Sequence, residues 1–151
     1  DPLTGLYNRR HFNVTLEKEV ERCSRYGHDI AFIMIDVNRF KEINDRYSHQ
    51  KGDKVLQKVA DLLQANTRDA DTVIRYGGDE FLIMMPETSG EAKNIVNRLK
   101  EKIADWNNES GFLDFPLTLA MGVSHWNSDQ EKDVEETLKE ADKKMYEEKD
   151  G

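Results

Sequence analysis

Apolar residues at Phe12, Leu16, Val20 and Cys23 fall at helical spacing, which predicts a helix over residues 11–26, ended by Gly27-His28-Asp29. Ile30–Val37 is a continuous apolar run, rich in β-branched and aromatic residues and closed by Asp36, the pattern of a strand buried on both faces. The polar stretch 38–47 predicts a short helix. Val55, Leu56, Val59, Leu62 and Leu63 mark a second strong helical face, with Gly52-Asp53 just before it. Thr72–Arg75 and residues 81–85 predict two short strands, joined through Tyr76-Gly77-Gly78-Asp79-Glu80 as a hairpin. Pro86 and Ser89-Gly90 then open a third helix, with Ala92, Ile95, Val96, Leu99, Ile103 and Trp106 on one face. Residues 107–114 read as a loop and 117–124 as another buried strand. Val134, Leu138, Ala141 and Met145 mark a final helix. The order α-β-α-α-β-β-α-β-α predicts an α/β fold with a central, mostly antiparallel sheet flanked by helices.

Composition narrows the classes. The 151 residues suit one domain spanning 1–151, with no internal repeat or linker. Aromatic residues at 9% and several apolar runs argue against disorder. The longest apolar runs fall far short of the ~18 residues a membrane span requires. Cys23 is the only cysteine, which excludes an intrachain disulfide. Against 30 Asp and Glu stand 22 Lys and Arg, a net charge of −8 that disfavours a nucleic-acid partner. The single cysteine and the lack of a cationic leader point to a reducing, cytoplasmic compartment. Asp1-Pro2-Leu3-Thr4-Gly5 reads as the interior of a longer protein. The charge run 129–150 reads as a solvated helix face. An acidic domain that handles a polyanion needs divalent cations to offset repulsion.

Carboxylates beside strands carry the first chemical signal. Asp36 closes a buried run, and a buried carboxylate is costly unless it is paired or holds a metal. If the first long strand lies beside the hairpin, Asp36 and Asp79 converge. Two hard oxygens suit Mg²⁺, which takes one or two carboxylates plus waters and substrate phosphates. Acids at strand ends are also commonly solvated, so spacing alone leaves both readings open. Gly77-Gly78 permits a tight turn and close approach of a ligand to the backbone.

Arg75-Tyr76-Gly77-Gly78-Asp79-Glu80-Phe81 resembles the signature of the GGDEF family, the diguanylate cyclases. Further blocks extend the resemblance in order: Asp1 to Arg10, Asp36 to Asp45, Ser48-His49-Gln50-Lys51-Gly52-Asp53, and Ala141-Asp142 through Tyr146 and Lys149. Three positions depart from the usual pattern: Asn38 stands for Asp, Ser48 for Gly and Ala120 for Ser. The resemblance implies a fold like that of nucleotide cyclases and palm-type polymerases. It also implies a reaction in which two GTP condense to cyclic di-GMP and two pyrophosphates. Each subunit of a homodimer would present one GTP, and an upstream sensory domain would regulate the pair. An inactive module that senses cyclic di-GMP is the alternative.

The resemblance also implies roles. Asp36, Asp79 and the carbonyl of Val37 would hold Mg²⁺, with Mn²⁺ as an alternative ion. Asp79 would accept a proton, Glu80 would support the acidic cluster, and Lys41 would offset charge on the phosphoryl group. Asn44 and Asp53 would read guanine, with Asp53 also favoured by the helix dipole. His49 would line the pocket, Phe40 would pack near the nucleotide, and Lys149 would bind the triphosphate. Arg68-Asp69-Ala70-Asp71 resembles the family's Arg-x-x-Asp inhibitory motif, so Arg68 and Asp71 would bind the product.

Overall fold

The computed structural model describes residues 1–88, 90–129 and 133–149. Along the chain run β1 (Tyr7–Asn8), α1 (Arg9–Tyr26), β2 (Ile30–Val37), α2 (Phe40–Arg46), α3 (His49–Ala65), β3 (Thr72–Arg75), β4 (Glu80–Pro86), α4 (Ala92–Ser110), β5 (Leu119–Trp126) and α5 (Val134–Lys149). They build one five-stranded sheet in the order β1-β3-β4-β2-β5. The β1–β3 pair is parallel, and the other pairs are antiparallel.

Every residue of β2 is buried, because helices cover both faces of the sheet. Side chains alternate across the pleat. Ile30, Phe32 and Met34 join a core with Phe12 of α1 and Ala141 and Met145 of α5. Ala31, Ile33, Ile35 and Val37 join the opposite core with residues of α2, α3 and α4, such as Ile43, Val59 and Leu99. Asp36 follows the parity of Met34, and its sheet partner Glu80 follows that of Leu82. Both acids therefore stand at the end of the sheet on the side of α1 and α5.

Several boundaries differ from the sequence expectation. The hydrophobic pattern did not reveal β1, whose two residues are exposed. Helix α1 begins at Arg9, two residues before the expected start, because the Asn8 side chain accepts the His11 N–H. Gly52 and Asp53 lie inside α3 rather than before it, because Ser48 caps that helix through the Lys51 N–H. Pro86 ends β4 and does not open a helix; α4 starts at Ala92. That helix continues through Ser110 and stops at Gly111, whose φ of 58° is the left-handed terminator glycine favours. Asn107 spans the gap to the next strand, accepting the Leu117 N–H at 2.9 Å and donating to its carbonyl at 2.8 Å. With both Leu117 groups so used, pairing to β2 begins at Leu119 opposite Val37.

Strand β5 is a sheet edge, and α5 covers it. The Met121 N–H donates to Glu148 Oε1 at 3.3 Å, and Lys144 Nζ donates to the Val123 carbonyl at 3.1 Å. Such capping blunts an edge that would otherwise pair with other chains. The close approach depends on Gly122: a Cβ there would lie 2.1 Å from the Ala141 carbonyl oxygen and 2.4 Å from the Met145 nitrogen. Both are backbone atoms and cannot swing aside. Gly122→Ala should therefore destabilise the fold by about 1–3 kcal/mol, the usual range for overpacking. The check is the midpoint of chemical unfolding, which should fall at unchanged slope.

Candidate active site

The acidic site forms where β2 and β4 end together. Asp36 sits opposite Glu80 in the ladder, and the Val37 N–H donates to the Asp79 carbonyl at 3.1 Å. Asp36 is 4% exposed. Its Oδ2 accepts from Lys149 Nζ at 2.7 Å, whereas its Oδ1 is buried with no partner among the described residues. Burial and the neighbouring Asp36 carboxylate push the Asp79 carboxyl above its usual range. Burial, Asp36, Asp142 and Asp79 do the same to Glu80. The bond to Asp36 raises the Lys149 ammonium. One lysine therefore faces a group of crowded carboxylates, one of which keeps a buried oxygen without a partner among the described residues.

This donor set fits a small hard cation. Among the described residues no group of three or more His, Cys, Asp or Glu side chains is placed to hold a metal. Two carboxylates with a carbonyl, leaving positions for water and phosphate, is the pattern Mg²⁺ accepts.

The signature loop, residues 76–79, joins β3 to β4. Its Tyr76 and Gly77 N–H groups both donate to the Glu80 carbonyl, at 2.8 and 3.2 Å. Neither Gly77 nor Gly78 has a positive φ. An added Cβ at Gly78 would meet nothing within 4 Å. Internal packing thus does not require glycine there. A cavity of about 590 Å³ opens beside Glu80, bounded by Arg9, Phe12, Tyr76 and Asp142 among others.

Helices α2 and α3 carry the residues expected to contact a nucleotide. Gly52 lets Asn44 and Phe40 pack close, since a Cβ there would stand 1.9 Å from Asn44 Oδ1 and 3.2 Å from Phe40 Cζ. Asn44 Oδ1 is buried and unpartnered among the described residues. Asp53, next to Gly52, is exposed, as are Lys41 and His49. The turn into α2 holds Arg39 at a φ of 60°, rare for a non-glycine residue. Two hydrogen bonds to Glu42, at 2.6 and 2.8 Å, and stacking of its guanidinium 3.8 Å from the Phe115 ring hold it there. Arg46 and Tyr47 both bind Asp114, which ties α2 to the segment before β5.

Arg68 and Asp71 lie apart from this acidic site, in the turn before β3. The Asp71 side chain has no exposed surface, and it accepts the Arg68 N–H at 2.8 Å and Nη2 at 2.9 Å. Nη2 also donates to the Pro86 carbonyl at 2.9 Å and to Thr88 Oγ1 at 2.8 Å. Asp71 and Thr88 hold Arg68 in place, and the half-exposed guanidinium faces a cavity of about 380 Å³ shared with Tyr7.

Sequence reasoning gave no role to Arg9, which lies 4.1 Å from the Tyr76 ring centre, or to Asp142 beside Glu80. Nor did it give one to Asp1 and Arg75. All four stand within the matched blocks, and position in those blocks was the only signal.

A family model described as "Diguanylate cyclase, GGDEF domain" matches residues 1–151. Diguanylate cyclase DosC of Escherichia coli strain K12 is 37% identical over 152 residues, covering 97% of this chain and 32% of that protein. The response regulator PleD of Caulobacter vibrioides strain NA1000 is 35% identical over 152 residues, covering 99% of this chain and 33% of PleD. The chain thus spans about a third of the length of these curated relatives. Among solved structures, diguanylate cyclase SiaD of Pseudomonas aeruginosa, in complex with its activator SiaC, superposes with a TM-score of 0.88 at 32% identity. That match covers 99% of this chain and 57% of SiaD. The active GGEEF domain of a diguanylate cyclase from Vibrio cholerae gives 0.83 at 30% identity, over 94% of this chain and 90% of that one. With the family model matching the whole chain and relatives more than 30% identical over nearly all of it, the chain belongs to the diguanylate cyclase GGDEF domain family.

Proposed function

We propose that this chain is the catalytic domain of a diguanylate cyclase. Two GTP condense to cyclic di-GMP, and two pyrophosphates leave. The observation that carries this reading is the acidic site itself: crowded Asp36, Asp79 and Glu80 with a buried, unpartnered Asp36 oxygen. Asp36, Asp79 and the Val37 carbonyl would hold Mg²⁺, which when bound polarises phosphate oxygens and favours ionisation of an attacking hydroxyl.

The chain's own residues do the rest. Asp79, whose carboxyl is already held above its usual range, takes the proton of the attacking 3′-hydroxyl. Glu80 keeps the field around it negative. Lys41, free of ion pairs among the described residues, offsets charge on the α-phosphate, and Lys149 turns from Asp36 to the triphosphate. Asn44 and Asp53 bind the guanine edge, while His49 and Phe40 bound the nucleotide. Each subunit of an antiparallel homodimer presents one GTP, and each 3′-hydroxyl attacks the other's α-phosphate. Among the described residues no helix is long and apolar enough to cross a membrane. The chain covers about a third of each of these relatives, which leaves room in a protein of that length for the sensory domain that would regulate it.

Incubation with GTP and Mg²⁺, with mass analysis of the product and assay of pyrophosphate, tests the reaction. Cyclic di-GMP with two pyrophosphates supports it. Binding of cyclic di-GMP without turnover would favour a sensor module instead.

The same reading gives Arg68 a regulatory role. Its guanidinium is oriented by Asp71 and open to a cavity, so it can grip a phosphate or a guanine edge. Arg68→Ala should weaken cyclic di-GMP binding by about 10-fold or more, as expected for losing a charged hydrogen bond. Turnover before product accumulates should stay intact. Calorimetric titration of parent and variant checks this, and equal affinities would return Arg68 and Asp71 to a purely structural role.

A further inference from the structure

We infer that Arg75 is a positioning residue for Asp79 and that Asp1 anchors it. The turn of residues 1–6 and the signature loop then act as one mechanical unit. The inference rests on the reading above, in which Asp79 takes part in cyclisation.

Arg75 is the last residue of β3, immediately before the loop. Its Nε and Nη2 donate to the Gly78 carbonyl at 3.3 and 2.8 Å. Its Nη1 donates to both Asp1 carboxylate oxygens, each at 3.2 Å. Asp1 is itself fixed, because Oδ2 accepts the Thr4 N–H at 2.9 Å and the Thr4 hydroxyl at 2.6 Å. The two side chains are only 20% and 17% exposed, so water and salt screen the pair less than a surface one. Strand pairing closes the unit, since Asn8 of β1 lies opposite Arg75.

The Gly78 carbonyl belongs to the peptide that continues into Asp79. Holding that carbonyl fixes the peptide plane from which the Asp79 side chain departs. Gly77 and Gly78 bring wide backbone freedom to this stretch. Among the described residues, Arg75 is the only partner of the Gly78 carbonyl. A guanidinium can hold it and Asp1 at once because its donors form a planar fork, which an ammonium lacks. A shift of the 1–6 turn would pull on the fork and move Asp79, giving a route by which the segment around Asp1 sets activity without touching substrate.

The test compares the parent with Asp1→Asn, Arg75→Lys, Arg75→Ala and the Asp1→Asn/Arg75→Ala pair. Three readouts are taken: kcat and KM for GTP, thermal melting, and Mn²⁺ binding without nucleotide by electron paramagnetic resonance. Asp1→Asn keeps an acceptor for Thr4 but loses the charge facing Arg75. It should lower kcat on the order of 10- to 100-fold, the scale of a small misplacement. KM should stay within about 2-fold, Mn²⁺ should bind more weakly, and the protein should remain folded at the assay temperature. Arg75→Lys should not rescue, and the double variant should be no slower than Arg75→Ala alone. Independent, multiplying losses in the pair, unchanged kcat in Asp1→Asn, or full rescue by Arg75→Lys would overturn the inference. If the parent makes no cyclic dinucleotide, the cyclase reading fails separately. Mn²⁺ binding then decides the positioning claim: weaker binding in Asp1→Asn and in Arg75→Ala supports it, and unchanged binding in either ends it.

Discussion

Asp79→Ala should leave a folded protein that makes no measurable cyclic di-GMP. The loop is held by main-chain bonds, Tyr76 and Gly77 N–H to the Glu80 carbonyl and the Val37 N–H to the Asp79 carbonyl, and by the Arg75 guanidinium on the Gly78 carbonyl. None needs the carboxylate. Burial and Asp36 already disfavour the charged Asp79, so its removal relieves crowding and should leave the melting temperature unchanged or raised. Activity should move the other way. Losing a positioned proton acceptor alone costs about 10²–10⁴-fold, and the same change removes one of the two carboxylates proposed to hold the cation. Turnover measured with GTP and Mg²⁺, beside a melting curve, gives both numbers. A stable variant with near-parent turnover would show that the acidic site is not where cyclisation happens.

The opposite signs of those two effects explain which parts of the molecule can be read from its sequence. Strand β2 is legible because burial on both faces leaves an unbroken apolar run. Asp36 stands out because it interrupts that run. Its convergence with Asp79 follows once β2 pairs with β4, which the hairpin allowed but did not require. Less legible is whatever depends on capping or on contacts distant in sequence. Ser48 moves the start of α3 ahead of Gly52, and Asn107 shifts the start of β5 by binding Leu117. Strand β1 has no apolar signal because both its residues are exposed. The Gly77-Gly78 pair permits a tight turn and the close approach of a ligand; the backbone there avoids the left-handed region and the space over Gly78 is open, which leaves the second property as the one that glycine serves. In the Arg68-Asp71 motif, the spacing does not reveal that Asp71 is enclosed and that Arg68 alone offers donors outward.

Asp53→Ser should relax the choice of base. Asp53 lies in the first turns of α3, exposed and without an ion-pair or hydrogen-bond partner among the described residues. Its neighbour Gly52 permits the close approach of Asn44, whose Oδ1 is also unpartnered among the described residues. Guanine offers N1–H and N2–H₂ donors, which suits a carboxylate. Adenine presents an unprotonated N1 that a carboxylate repels. A site built to hydrogen-bond a substrate group rejects analogues lacking it by ~10⁴–10⁵. Hydrogen bonds to charged groups contribute about 1.5–3 kcal/mol each, so kcat/KM for GTP should fall by about 10²-fold or more. ATP, freed from repulsion, should gain relative to GTP. Little stability should be lost, because Asp53 is exposed and lies beyond the first turn of α3, where the expected support from the helix dipole has largely faded. The measurement is kcat/KM for GTP and for ATP with parent and variant, with the product identified by mass. If the serine variant rejects ATP as firmly as the parent, guanine is read elsewhere, and Asp53 serves only the helix that carries it.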